Sequence, residues 1–571
     1  VSARGAKEGK LWPSFAVDFL VSCGEFKTVE EHLRAYARYH SMEPDQLREI
    51  EHWVEEMTRE GLLVGTREVV ERCVASGAGM EGAAGVRIGA IGVPTAGNAE
   101  RLRRVVTSFA RNARENGREV GFTVSANGAG GAGARGLLAE LEASEGVTIE
   151  IMDDEGRVRY GEELARKAGV DPEVVGYALG DRLGVGFACG ANRNALLLRN
   201  AGRAWLSVDD DVACEMVSAP KRKEGVMVFS TRDGFERWFY AEYWKAFEGQ
   251  KVVEGDYLGM HEKMLGRGVG GLLGGEVDFV GISDEMLRRL QEREGRVVAT
   301  FSGHYGHPGI PTSYYYLTYR GGTLGRLTGE GEERYREYLG SGGVLAVTPR
   351  MSIADASLSP GMAMGIDGRE LIPPFPPVMH AEDFVWGAVV WQCCASGFAG
   401  HLPVAVRHDP GLGRGILKPP LEAGERPVAM WEFAHVLRGI VTGWTAPPGL
   451  LDTAERMEGL GRYLCDVAGG GAGDFHEYLR WFVMQHESEK IGFMEYCLTE
   501  ERDAPEFWQR DVEEYIEQTR LALAAPDMDI PYDMRGKWSA EEARGLMQGM
   551  VRGYGRMLRE WGGLWEVAAK G

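Results

Sequence analysis

Apolar and polar positions change rhythm twice along the chain, dividing it into three stretches. Over residues 1–78 the apolar side chains recur at helical spacing. Leu47, Ile50, Val54 and Met57 define one amphipathic helix, and Thr28 with Glu31, three residues apart, forms a capping-box pattern that starts another. Gly61-Leu62-Leu63-Val64 predicts a turn into a short strand, and helices followed by such a strand predict a small winged-helix-like domain. Ser76 to Gly85 is rich in Gly and Ala, which predicts a linker over 79–85.

From residue 86 short apolar runs alternate with amphipathic stretches. Val86 to Val93, Phe122 to Val124, Thr148 to Met152 and Ala204 to Val208 predict strands. Between them lie a helix capped by Asn98 with Leu102, Val105, Val106, Phe109 and Ala113 on its apolar face, a helix around Leu137, Leu138 and Leu141, and a helix over 191–200. This alternation predicts an α/β domain over 86–425, a mostly parallel sheet flanked by helices, with ligands at the carboxyl ends of the strands. Residues 212–345, with charged helices, Gly-rich turns and Tyr314-Tyr315-Tyr316, read as an insertion in it. From 426 to 571 the pattern is helical, with segments near 454–467, 475–497, 508–524 and 539–562 and a second capping box at Ser539 and Glu542.

Composition narrows the function. The chain has 571 residues, enough for several domains and a full core without disulfides. Lys and Arg number 64 against 85 Asp and Glu, a net charge of −21, which argues against nucleic acid as a partner. No apolar run approaches a membrane span, and the eight scattered cysteines lack metal or redox spacing. Reduced thiols and no signal-peptide pattern give cytoplasmic as the expected location, although the sequence starts at Val1 without Met. A homo-oligomer is compatible with all of this.

The chemistry concentrates at Asp209-Asp210-Asp211, which ends the apolar strand 204–208. Alternate carboxylates there can project together and hold Mg²⁺ or Mn²⁺, which also binds phosphate oxygens. A solvated acidic turn is the plain alternative. Upstream, Gly190-Ala191-Asn192-Arg193-Asn194 opens a helix whose N-terminus and arginine suit a diphosphate. A competing pattern is Gly128 to Gly133, which fits GxGxxG spacing between a strand and a helix, with Asp153 and Asp154 about 20 residues on. It points to a dinucleotide, but Ser125 to Asn127 intervene and a chain with 81 glycines produces such matches by chance. Neither a nucleophile elbow nor a GxxxxGK[ST] loop is present.

In order along the chain, a strand into Val93-Pro94-Thr95, the Gly-Ala-Asn-Arg-Asn helix start and the Asp-x-Asp strand end resemble the GT-A fold of family 2 glycosyltransferases. Glu382-Asp383 opening a helix, and the strand Leu402 to His408 closing on histidine, continue the resemblance over roughly 86–415. It implies donor contacts from Pro94, Thr95, Asn192, Arg193, Asp209 and Asp210. It further implies metal ligation by Asp209, Asp211 and His408, with His401 as a rival, and a catalytic pair Glu382 and Asp383, of which Asp383 is the base. The family's acid after the second strand is missing, and Asn127 or Ser125 stands in its place.

Sugar transfer needs a cation for the leaving diphosphate, a base for the acceptor proton and loops that fix the donor, and these residues supply all three. The expected activity is therefore Mn²⁺- or Mg²⁺-dependent, inverting transfer from a UDP- or GDP-sugar to a sugar, small-molecule or peptide acceptor. The peptide option comes from the N-terminal unit, which is similar to recognition domains of bacterial peptide-modifying enzymes; packing or dimerisation would serve equally. Two further expectations concern segments beside this set. The loop Asp367 to Leu371 with Pro373-Pro374-Phe375-Pro376-Pro377 either lines the acceptor site or is a plain turn, and His304 with His307 is either a metal pair or loop polar groups. The alternatives are a non-catalytic scaffold that keeps the GT-A frame, or an NAD(P)-dependent oxidoreductase using Gly128 to Gly133.

Overall fold

The computed structural model describes residues 10–23, 26–40, 42, 44–77, 85–231, 233–292, 295–309, 314–356, 359–411, 430–530, 534 and 537–571. Thirteen strands belong to one sheet. In chain order they are β1 Ala90–Thr95, β2 Gly121–Ala126, β3 Thr148–Met152, β4 Ala204–Val208, β5 Val212–Val217, β6 Val226–Phe229 and β7 Glu236–Tyr240. Then come β8 Val277–Val280, β9 Arg296–Gly306, β10 Gly343–Val347, β11 Met351–Ala354, β12 Ala363–Asp367 and β13 Gly397–His408.

The near-continuous burial of β1, β2 and β4 explains their apolar runs, because helices cover both faces. β3, β2, β1 and β4 lie side by side in parallel. Beyond β4 the sheet becomes mixed: β12 is antiparallel to β4 and β9, β9 runs parallel to β13, and β13 is antiparallel to β5 and β11. Residues 212–345, expected as an insertion, supply β5 to β9 and the start of β10 and are woven into this sheet. Helix Ala99–Glu115 packs on it with the predicted face of Leu102, Val105, Val106, Phe109 and Ala113, and Asn98 accepts from the Arg101 N–H at its start.

The N-terminal unit differs from expectation. It is four helices, Ser14–Ser22, Val29–His40, Pro44–Arg59 and Thr66–Gly77, with no strand among its described residues. The Thr28–Glu31 capping box is present. Residues 61–64 make a turn: Gly61 is left-handed (φ 71°), and the Leu62 amide folds back onto the Met57 carbonyl at 2.9 Å. That closure ends the helix and leaves no extended segment for a wing. Of the expected linker only Gly85 lies within the described residues.

The C-terminal helices Met430–Gly443, Thr453–Val467, Ala472–Glu500, Glu506–Leu523 and Ala540–Lys570 share a core with the sheet's helices, in which Trp386 and Val385 meet Tyr554 and Trp561. The last helix also holds the loop before residue 382. The Tyr554 hydroxyl donates to the Pro374 carbonyl and the Trp561 indole to the Ile372 carbonyl, both at 2.8 Å. Asn194 completes the clasp, accepting from the Phe375 N–H at 2.8 Å and donating to its carbonyl at 2.9 Å, while the Phe375 ring stacks on Trp386 at 4.6 Å. Residues 372–379 are buried, so this part of the loop is a fastening between helices Cys189–Arg199 and Glu382–Cys393.

Gly190 is where the clasp is tightest: a Cβ there would stand 1.9 Å from the Pro376 carbonyl oxygen, a backbone atom with little room to move. Gly190→Ala is therefore expected to destabilise the protein by about 1–3 kcal/mol, read as a lower denaturant midpoint. Gly133→Ala, in a helix with nothing near its added methyl, serves as the control and should be neutral or slightly stabilising.

Candidate active site

The carboxyl end of β4 runs into the acidic turn. The Asp209 N–H donates to the Met362 carbonyl at 2.9 Å and the Val212 N–H to the Asp209 carbonyl at 3.1 Å, which reverses the chain into β5. The three side chains then face three different neighbours. Asp209 accepts from Arg193 Nη2 at 2.8 Å. Asp210 accepts from the Thr95 hydroxyl at 2.5 Å, tying the end of β1 to the turn. Asp211 faces His408 Nε2 at 3.5 Å, because β5 pairs with β13 in a register that sets His408 opposite Val212. Arg101 approaches both Asp210 (3.8 Å) and Asp211 (3.9 Å) from helix Ala99–Glu115.

Arg193 connects this turn to the second acidic pair. Its Nε donates to Glu382 Oε1 at 3.0 Å and its Nη1 to the Ser207 hydroxyl at 3.1 Å. Glu382 is buried against Arg193, so it positions the site and is not open to a substrate. Ala381 enters the helix in the left-handed region (φ 54°), a strained conformation for alanine that turns Glu382 inward. Asp383 is only partly buried. Its Oδ2 accepts from the Gly361 N–H at 2.7 Å and its Oδ1 from the Phe384 N–H at 2.9 Å, which leaves each oxygen a further lone pair.

Electrostatics follow from this crowding. Burial pushes the Asp209 carboxyl up to about 7; Arg193 opposes the shift, and Asp211, Glu382 and Asp210 add to it. Burial also raises Glu382 against the pull of Arg193. Burial draws His408 down, but Asp211 and the His307 carbonyl outweigh it, so its affinity for a proton rises. His408 Nδ1 meets the His307 carbonyl at 2.6 Å, so the proton belongs there and Nε2 is turned towards Asp211.

The donor types here, carboxylates and an imidazole, are ones that a divalent cation of the Mg²⁺ or Mn²⁺ type accepts. Among the described residues no group of three His, Cys, Asp or Glu stands close enough to form a three-ligand metal site. Mg²⁺ seldom uses one: it takes one or two carboxylates and completes its shell with water and substrate phosphate. The rival ligand His401 does not join the set. It is fully buried among Phe229, Phe235 and Phe301, and burial lowers it to about 3, so it stays neutral. His304 is likewise buried, with its ring 6.2 Å from that of His408, and His307 contributes its backbone carbonyl.

The expected donor contacts divide in two. Pro94 and Thr95 end β1 beside the acidic turn. Asn192 lies behind it, accepting from the Ser125 hydroxyl at 3.0 Å and from Arg157 Nη1 at 2.8 Å, so it supports the site from within. Asn127 accepts from Arg157 Nη2 at 2.7 Å and donates to the Ala188 carbonyl at 3.3 Å. Arg157, which sequence reasoning missed, gathers the end of β2 and helix Cys189–Arg199 through Asn127, the Ala126 carbonyl and Asn192, and pairs with Asp154. Asp154 Oδ2 also accepts from the Gly128 N–H at 2.8 Å. A carboxylate thus occupies the first amide of the Gly128–Gly133 segment, where a pyrophosphate would have to bind in a dinucleotide site.

No family model, no curated protein and no solved structure matches the chain.

Two outcomes are expected. Arg193→Met leaves Asp209 and Glu382 without their shared partner and should cost about 3–5 kcal/mol in a denaturant melt. The second concerns pH. Between 3.8 and about 7 the folded Asp209 holds a proton that the unfolded chain releases, so its contribution to stability falls as pH rises through that window. Mn²⁺ favours the ionised form, so its rise in thermal midpoint should be larger at about pH 8 than at about pH 5.5. Equal rises at both would remove Asp209 from the ligand set.

Proposed function

We propose that this chain is a divalent-cation-dependent glycosyltransferase of the GT-A fold, moving a sugar with inversion from a UDP- or GDP-sugar to an acceptor hydroxyl. The observation that carries the reading is Arg193, whose guanidinium joins Asp209 at the end of β4 to Glu382 beside Asp383 and so sets the acidic turn against a partly open carboxylate. The location supports it as well, since ligands of α/β sheets bind at the carboxyl ends of parallel strands, here β1 and β4.

Asp209, Asp211 and His408 Nε2 would hold the cation, which when bound neutralises charge on a leaving diphosphate. Pro94 and Thr95 line the donor side. Asp383 takes the acceptor's hydroxyl proton as that oxygen forms its bond to the anomeric carbon. The bond from that carbon to the diphosphate oxygen breaks with its electron pair, and the proton stays on Asp383. The Gly361 N–H keeps the carboxylate aimed, and a Cβ at Gly361 would stand 2.7 Å from it. No helix among the described residues is long and apolar enough to cross a membrane. The reducing cytoplasm is the compartment that this reading assigns to the activity.

Asp209→Ala is expected to abolish Mn²⁺-dependent thermal stabilisation by UDP or GDP. Asp383→Asn should keep that stabilisation and slow diphosphate release from nucleotide sugars by about 10²–10⁴. Full turnover by Asp383→Asn would exclude it as the base, and stabilisation by NAD alone would favour the oxidoreductase.

A further inference from the structure

The C-terminal helices bring a second polar group to the first turn of helix Glu382–Cys393. Arg438, on helix Met430–Gly443, lays its guanidinium over the Phe384 ring, 4.6 Å from the centroid. The His435 ring meets the same phenyl at 4.4 Å, and His435 Nε2 stands 3.3 Å from the Tyr315 hydroxyl. The His486 ring lies 5.2 Å from His435. Glu487, the next residue, is engaged by Lys490 at 3.1 Å.

Arg438 is partly buried, and it differs from the buried arginines here. Arg193 pairs with Asp209 and Glu382, Arg157 with Asp154, and Arg289 with Glu285. Arg456 donates to the Leu450 and Gln392 carbonyls. Arg438 has no carboxylate at ion-pair distance among the described residues, and its Nε is buried without a hydrogen-bond acceptor. Asp355 acts on it only as a more distant charge, and burial disfavours its charged form. The guanidinium is only partly withdrawn from water, so it is left without an anion and open to one, and its planar fork matches the two oxygens of a carboxylate or phosphate. The residue it stacks on is next in the chain to Asp383.

We propose that Arg438 recognises the acceptor, and that the acceptor is a small hydroxy compound carrying a carboxylate or a phosphate. The oxyanion pairs with Arg438 across Phe384 while the neighbouring hydroxyl turns towards Asp383. The assignment of this anion site to an acceptor rests on the transferase reading above; the anion site itself does not.

Calorimetric titration of the full chain, without cation or donor, tests the site directly. Glycerate and glycerol phosphate serve as probes and glycerol as the neutral control. One or both anions should bind saturably, and glycerol should not. Arg438→Gln should weaken binding by about tenfold or more, and Arg438→Lys by less, since it keeps the charge and loses the fork. Whichever anion binds tells carboxylate from phosphate. Equal binding to wild type and Arg438→Gln, or no anion binding to wild type, overturns the site. If Arg438→Gln does not fold, undiminished binding by Arg438→Lys has the same force.

The acceptor role is read from Mn²⁺-dependent diphosphate release with UDP- and GDP-sugars. Acceleration by the bound anion and not by glycerol supports it. Equal acceleration by glycerol overturns the acceptor assignment while leaving the transferase. Anion binding with no release from any donor leaves the site and removes the transferase.

Discussion

The guanidinium of Arg193 stands between two carboxylates that arrive from distant parts of the chain, and the geometry of the acidic centre depends on that bridge. Asp209 comes off the end of β4 and Glu382 off a left-handed turn at Ala381. With Asp210 and Asp211 beside them, several negative groups share one buried corner, and mutual repulsion would open it without a cation. Arg193 supplies one positive charge, and Arg101 and His408 approach from the other side. Burial, with Asp211, Glu382 and Asp210 adding to it, holds the Asp209 carboxyl above its ordinary range against the pull of Arg193.

Holding Arg193 in that position is the task of the fastening beneath it. Helix Cys189–Arg199 can approach the proline-rich loop because residue 190 has no side chain, and Asn194 binds both the N–H and the carbonyl of Phe375. The loop is in turn held by Tyr554 and Trp561. The region that looked like a separate helical domain is thus part of the site's support.

Much of this was legible in the chain. Strands at 148–152 and 204–208 fall where their apolar runs end, and both capping boxes form, because these features depend on neighbours a few residues apart. The acidic turn, Arg193 and Glu382-Asp383 could be singled out as residues, and the structure brings them together. What could not be read lies in long-range pairing. Nothing local marks Arg157 as the residue that engages Asn127 and Asn192, nor the His307 carbonyl as the group that orients His408. The strand expected after Gly61 failed for a local reason, since the left-handed glycine sends the next amides back onto Met57. The weaving of 212–345 into the sheet was hidden because its strands pair with partners far along the chain, as β9 does with β12 and β13.

The hydrogen bonds from helix Ala540–Lys570 to the loop at 372–374 have a consequence for biogenesis. Translation delivers β1, β4 and the acidic turn long before that helix emerges from the ribosome tunnel. Until it does, the loop lacks its two buried donors and Arg193 lacks a finished floor. A nascent chain therefore carries a loosely held, highly charged corner until helix Ala540–Lys570 has been made and has docked on the loop.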